Sequence, residues 1–129
     1  MKIKLGDALN VNIAIKAILE NSQINDTALK FKLLMIGNSL QPVMANYDML
    51  RNQKIAELGK QSESEDENGN KNIYIPSDDK EAIEKFNTAM EALLNTEITI
   101  ACDKLKAADV FDKGIPVDYL IALCKVIEM

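Results

Sequence analysis

A chain without histidine has no imidazole to act as general base, to complete a Ser-His-Asp or Cys-His nucleophile, or to ligate a metal, and none of these 129 residues is histidine. The two cysteines, Cys102 and Cys124, are too few for a thiolate zinc site and have no Cys-x-x-Cys spacing. They read as buried structural thiols, one on a strand and one on a helix. Chemistry would fall to carboxylates, with Asp103 and Asp109, or Glu81 and Glu84, as the pairs near enough in sequence to share a site. Acids at this density are ordinary on a solvated surface. The stretch 61–71 invites a calcium reading: with Gly69 at loop position six, Ser64, Asp66 and Asn68 fall at positions one, three and five. Position twelve is then Ile75, where a bidentate Glu is required, so the stretch reads as a solvated tip. There is no Walker or GxGxxG glycine pattern. The expectation is no catalytic, cofactor-binding or metal-ligating residue, and no cofactor.

The side chains that invite a functional reading are methionines. They are soft and adaptable, suited to irregular gaps or to a partner surface. Met35 and Met49 lie off the apolar seam of a long helix described below, and are the candidate interaction surface. Met44, beside Val43, widens the core face instead.

The elements that must position these residues follow from periodicity. Residues 1–5, "MKIKL", alternate and predict a short strand that Gly6 and Asp7 break. Val11, Ile15 and Ile18 then predict a helix from Ala8 to about Glu20. After a turn at 21–26, with Asp26 or Thr27 as N-cap, the strongest pattern begins. Leu29, Leu33, Ile36, Leu40, Val43, Tyr47 and Leu50 are spaced alternately by four and three, a side-by-side packing seam. It predicts one helix over 27–60, about 50 Å long, kinked near 37–42 because Pro42 lacks an amide and crowds the carbonyl of Asn38. A kink preserves the heptad phase; a full break would reset it.

Residues 72–76 predict a strand closed by Pro76. Ser77, Asp78 and Asp79 cap a helix with the stripe Ile83, Phe86, Met90, Leu93 and Leu94. Residues 96–103 alternate again and predict a third strand. Phe111 to Gly114 make a turn, and Pro116 opens a last helix whose apolar face is Val117, Leu120, Ile121, Cys124 and Ile127. The expected fold is α+β, mainly α: a long kinked helical hairpin, a small antiparallel sheet with strands near 1–5, 72–76 and 96–103, and a C-terminal helix. The stretch 61–71 fails as a domain linker because each side is too small to bury its own apolar face. The expectation is therefore a single domain over 1–129, with 61–71 as a flexible hairpin tip.

Composition bounds the function. The 47% of hydrophobic residues suffices for a core, and with 5% aromatics and no tryptophan that core is aliphatic. The formal charge of -5, with no basic patch, repels phosphate backbones, so no nucleic-acid partner is expected. No stretch approaches the roughly 18 apolar residues of a spanning helix, so no membrane partner is expected either. The apolar run at 1–10 is too short for a signal peptide. The small cysteine count suits a reducing compartment.

Placed in order, "MKIKLGDALN", the long helix running into "DENGN", "EKFNTAMEALLNTE", "DKLKAAD" and "IPVDYLIAL" resemble in layout a family of small uncharacterised proteins from tailed bacteriophages and prophages, carried as a domain of unknown function. The segment "GNSLQP" at 37–42 departs from the unbroken helix of that layout. The resemblance implies a viral or prophage origin and a cytoplasmic location in a bacterial host cell, or association with the virion. It supplies no catalytic residues. The leading expectation is thus a non-enzymatic interaction protein with a protein partner, acting as an assembly accessory or an inhibitor of a host system. The alternative is a self-associating structural subunit of a virion or tail, a homo-oligomer. A small enzyme built on carboxylates alone is the third.

Overall fold

The structure is a computed structural model that describes residues 1–65, 67, 69 and 71–128. The chain is α+β and mainly helical, with a long helix, small sheets and a C-terminal helix. It divides into two compact units: Met1–Met44 with Leu94–Met129, and Ala45–Leu93.

In the first unit, β1 (Lys2–Lys4) pairs antiparallel with β4 (Glu97–Thr99), setting Ile3 opposite Ile98. The Leu5 amide donates to the Thr96 carbonyl at 2.9 Å and the Ile100 amide to Met1 at 2.8 Å, which lengthens the ladder at both ends. Helix α1 (Leu5–Glu20) begins directly after β1. Gly6 and Asp7 are helical, not the break that the sequence suggested. A Cβ at Gly6 would sit 3.3 Å from the Leu94 carbonyl oxygen, so the glycine serves close approach rather than a turn. Val11, Ile15 and Ile18 are buried, as their spacing predicts.

Helix α2 (Thr27–Leu58) contributes to both units. Asp26 is its N-cap, with Oδ1 accepting from the Leu29 amide at 3.0 Å. The helix continues through residues 37–42 and Pro42 without a break. Leu29, Leu33, Ile36 and Leu40 are buried as the seam predicts. Beyond them the seam surfaces: Val43 and Tyr47 are half-buried and Leu50 is exposed. Met44 packs partly buried against the core.

The last part of the first unit holds elements that apolar spacing did not announce. A short β5 (Leu105–Lys106) leads into the single turn α4 (Ala107–Val110). A turn with Asp112 and Gly114 in the left-handed region follows. Helix α5 (Val117–Leu123) is entered through Pro116, whose carbonyl accepts from the Tyr119 and Leu120 amides at 3.1 Å. The expected helix through Ile127 instead tightens to a 3-10 turn at Cys124–Val126 and becomes β6 (Ile127–Glu128), parallel to β5. The inward side is Leu123, Val126 and Ile127, with Tyr119, Leu120 and Ala122 packed partly buried beside them. Val117, Ile121 and Cys124 are consequently exposed, which corrects the expected apolar face and the expected burial of Cys124.

The core of this unit is aliphatic: Val11, Ile15, Ile18, Ile24, Leu29, Leu33, Ile36, Leu40, Val110, Leu123 and Val126 are fully enclosed.

The second unit joins the end of α2 to α3 (Lys80–Leu94) through a hairpin of β2 (Lys60–Glu65) and β3 (Lys71–Tyr74). Lys60 lies opposite Tyr74 and Gln61 opposite Ile73, with an irregularity before Glu65 meets Lys71. The strand expected at 72–76 thus pairs with its sequence neighbour, not with the strands near 1–5 and 96–103. Segment 60–65, "KQSESE", is polar at every position, so no apolar alternation marked it. Gly59 fits where a Cβ would meet the Ile55 and Tyr74 carbonyl oxygens at 2.5 and 2.7 Å. Helix α3 is capped by Asp79, whose Oδ1 accepts from the Ala82 amide at 3.1 Å.

Candidate interaction surface

The exposed side of α2 follows from its buried one. With Leu29, Leu33, Ile36 and Leu40 turned inward, Phe31 and Met35, four residues apart and off that seam, share an outer stripe. Both are exposed, Phe31 at 62% and Met35 at 50%. They form one wall of a groove of about 370 Å³ whose other wall is the segment 101–106 with Asp109. Buried Ile36 and Leu105 make its floor.

Polar contacts fix this wall against α2. The Ser39 hydroxyl donates to the Met35 carbonyl at 3.1 Å, a helical back-bond. The Cys102 thiol can then donate to Ser39 Oγ, 2.9 Å away, and lies 3.6 Å from the Met35 carbonyl. Cys102 is half-buried, beyond the end of β4 rather than on a strand. On the other side Lys32 Nζ donates to Asp109 Oδ2 at 2.8 Å. That bond holds the Asp109 carboxyl below its ordinary range. Lys113 pairs with Asp26 at 2.9 Å, so the residue that caps α2 also anchors the turn before α5. The hydrogen bond from Lys113 lowers the Asp26 pKa, and Asp26 raises that of Lys113. Lys104, Lys106 and Asp103 complete the rim, which carries both signs around an apolar bed.

The sequence singled out Met35 and Met49. Met35 is in this groove. Met49 is exposed on α2 in the second unit, beside exposed Leu50. Sequence reasoning missed Phe31, although its i,i+4 relation to Met35 was the available signal. It also missed a second groove, of about 300 Å³, in the second unit. This is lined by Arg51, Ile55, Ile73, Tyr74, Ile75, Ile83 and Phe86, with the Arg51 guanidinium 5.9 Å from the Phe86 ring centre.

The carboxylate pairs resolve into separate surroundings. Asp109 is engaged with Lys32, and Glu81 with Lys85 at 3.2 Å one turn along α3. Of the calcium-loop positions, Asp66 and Asn68 lie outside the described residues, as does part of the 61–71 tip, while Ile75 lines the second groove. Among the described residues, no group of three or more His, Cys, Asp or Glu could hold a metal ion. No helix among them is long and apolar enough to cross a membrane.

No protein-family model matches the chain, and neither curated proteins nor solved structures give a significant match.

Proposed function

We propose that the chain is a non-enzymatic, phage- or prophage-type interaction protein that holds a protein partner in the Phe31–Met35 groove, as an assembly accessory or an inhibitor of a host system. The observation that carries this reading is the pairing of two exposed, large apolar side chains with a bed of buried ones and a rim of both charges. An apolar anchor in a pocket, ringed by polar groups, is how protein interfaces concentrate their energy. The groove fits one or two apolar side chains of an amphipathic helix or extended segment, with charged neighbours meeting Lys104, Lys106 and Asp103. The absence of histidine from the chain is consistent with binding rather than acid–base work. The phage or prophage origin rests on the layout of the sequence.

The test is capture from phage-infected or lysogenic bacteria with the tagged chain and with a Phe31→Asp/Met35→Asp variant. Both positions are exposed, so the variant should keep its melting temperature. A defined protein retained by the wild type and lost by the variant is the expected result. An identical set of captured proteins with both would overturn the reading. Co-sedimentation with purified particles separates a virion subunit from an accessory or inhibitor that leaves the particle.

A further inference from the structure

Arg51 is the only arginine in the chain, and it is the one charged residue that lines the groove of the second unit. The rest of that groove, about 300 Å³ in volume, is walled by four isoleucines, Phe86 and Tyr74. Ile73 and Tyr74 are exposed, while Ile55, Ile75, Ile83 and Phe86 are half-buried, so much apolar surface around the arginine faces water.

The acids of the two flanking helices do not answer this cation. Glu57 pairs with Lys54 at 3.3 Å and Glu81 with Lys85 at 3.2 Å. Asp79 is turned to the Ala82 amide as the cap of α3. Asp48, Glu84 and Glu91 do not line the groove, and Arg51 forms no ion pair among the described residues. Its guanidinium lies over the Phe86 ring, 5.9 Å from the centre. Stacking of that kind uses the face of the guanidinium and leaves the N–H donors in its plane for a planar acceptor.

We propose that this groove binds a small apolar monocarboxylate, a short-chain fatty acid or an aryl-alkanoic acid. The carboxylate takes the Arg51 fork and the hydrocarbon lies along the isoleucines. Each part of the ligand has its counterpart: a charge-assisted, bidentate pair at one end, and apolar surface removed from water along the rest. The volume is at the small end of ligand sites, which suits one short chain. A polypeptide tail is a poorer fit. It brings an amide at every residue, and among the lining side chains only the Tyr74 hydroxyl and Arg51 itself could replace the water those amides would lose. The groove lies in the other unit from Phe31 and Met35, and the proposal stands whether or not their groove holds a protein.

The experiment is a titration of the full chain followed by amide NMR shifts, with octanoate and, in parallel, with octanol, the same hydrocarbon without the charge. Octanoate should shift the amides of residues 51–55, 73–75 and 83–86 saturably. It should bind about tenfold more tightly than octanol or better. Arg51→Gln should abolish that preference and leave octanol binding as it was. The comparison of the two ligands on the wild type stands without any variant. Absence of saturable shifts at these residues would overturn the proposal. So would equal binding of octanoate and octanol, or a preference for octanoate that survives Arg51→Gln. A short peptide with an apolar C-terminal residue that binds here more tightly than octanoate would assign the groove to a polypeptide tail and equally overturn it.

Discussion

The two units use similar residues and reach different degrees of enclosure. The unit of Met1–Met44 and Leu94–Met129 encloses aliphatic side chains from α1, α2, α4, α5 and both of its sheets. In Ala45–Leu93 only Ala82 is buried among the described residues. Ile83, Phe86, Met90 and Leu93 of α3 with Tyr47 of α2 are half-buried, and Met49, Leu50, Ile73 and Tyr74 are exposed. The difference is one of layers. The first unit covers the inner stripe of α2 with a second helix and short strands, whereas the second has two helical segments and one hairpin. An apolar stripe gains free energy in proportion to the area it removes from water, so one sequence pattern yields unequal stability in the two places.

The sharpest way to break this comparison is truncation of equivalent stripe residues. Leu33 is fully enclosed, and Leu33→Ala should cost roughly 2–5 kcal/mol. Ile83→Ala, at a half-buried site, should cost about 1 kcal/mol. Chemical denaturation of both variants measures the gap. Equal losses would mean that the second unit is as well packed as the first.

Gly59 is the point where the thin unit is least forgiving. An added Cβ there meets two backbone carbonyls, and backbone cannot move aside as a side chain can. Gly59→Ala should therefore cost about 1–3 kcal/mol, the scale of overpacking. Amide exchange should speed up in β2 and β3 while the amides of α1 and β4 keep their protection. Uniform acceleration throughout the chain would show that the two units open as one.

What was legible in the sequence follows the same division. Leu29, Leu33, Ile36 and Leu40 announced a buried helix face because a full second layer covers it, and periodicity is the trace of such a layer. Tyr47 and Leu50 continue the pattern where the cover thins, so the pattern overstated their burial. Strand β2 was illegible because its side chains are polar at every position and local backbone pairing defines it. On α5 the inward side runs through Tyr119, Ala122, Leu123 and Val126, turned away from the stripe that apolar residue types suggested, so Val117 and Ile121 looked internal and are not. Met35 could be read as exposed because it falls off the seam. The wall of its groove could not, since 101–106 is brought there by contacts far apart in sequence, Ser39 with Cys102 and Lys32 with Asp109.

Pro42 closes the α2 segment of the well-covered unit and is itself exposed. Proline inside a helix is disfavoured against alanine by about 3 kcal/mol, offset in part by the freedom it removes from the unfolded chain. Pro42→Ala should leave the fold intact and raise stability by about 1–2 kcal/mol, seen as a higher melting temperature. A loss on that substitution would show that the conformation at Pro42 is needed to seat Leu40 and Met44.

The smallest expected effect comes from charge, and it too belongs to the first unit alone. Lys113 and Lys32 hold Asp26 and Asp109 below the usual 3.8 through hydrogen bonds. A depressed carboxylate pKa contributes stability that is present above the unfolded value and is lost as pH falls through the folded one. Lys113, raised above 10.5 by Asp26, behaves in the opposite sense, its contribution being lost only as pH rises beyond that value. Both contributions are therefore present together from about pH 5 to about pH 9. In an Asp26→Asn/Asp109→Asn variant the N-cap survives, because asparagine caps as well as aspartate, and only the charges go. Its melting temperature should lie slightly below the wild type through that window, and the two curves should converge on acidification below the usual carboxylate range. Amide exchange in β2 and β3 should not distinguish the two proteins, since both ion pairs lie outside Ala45–Leu93. A difference that persists undiminished in strong acid would mean that the aspartates act through packing, and that the two units differ in cover alone.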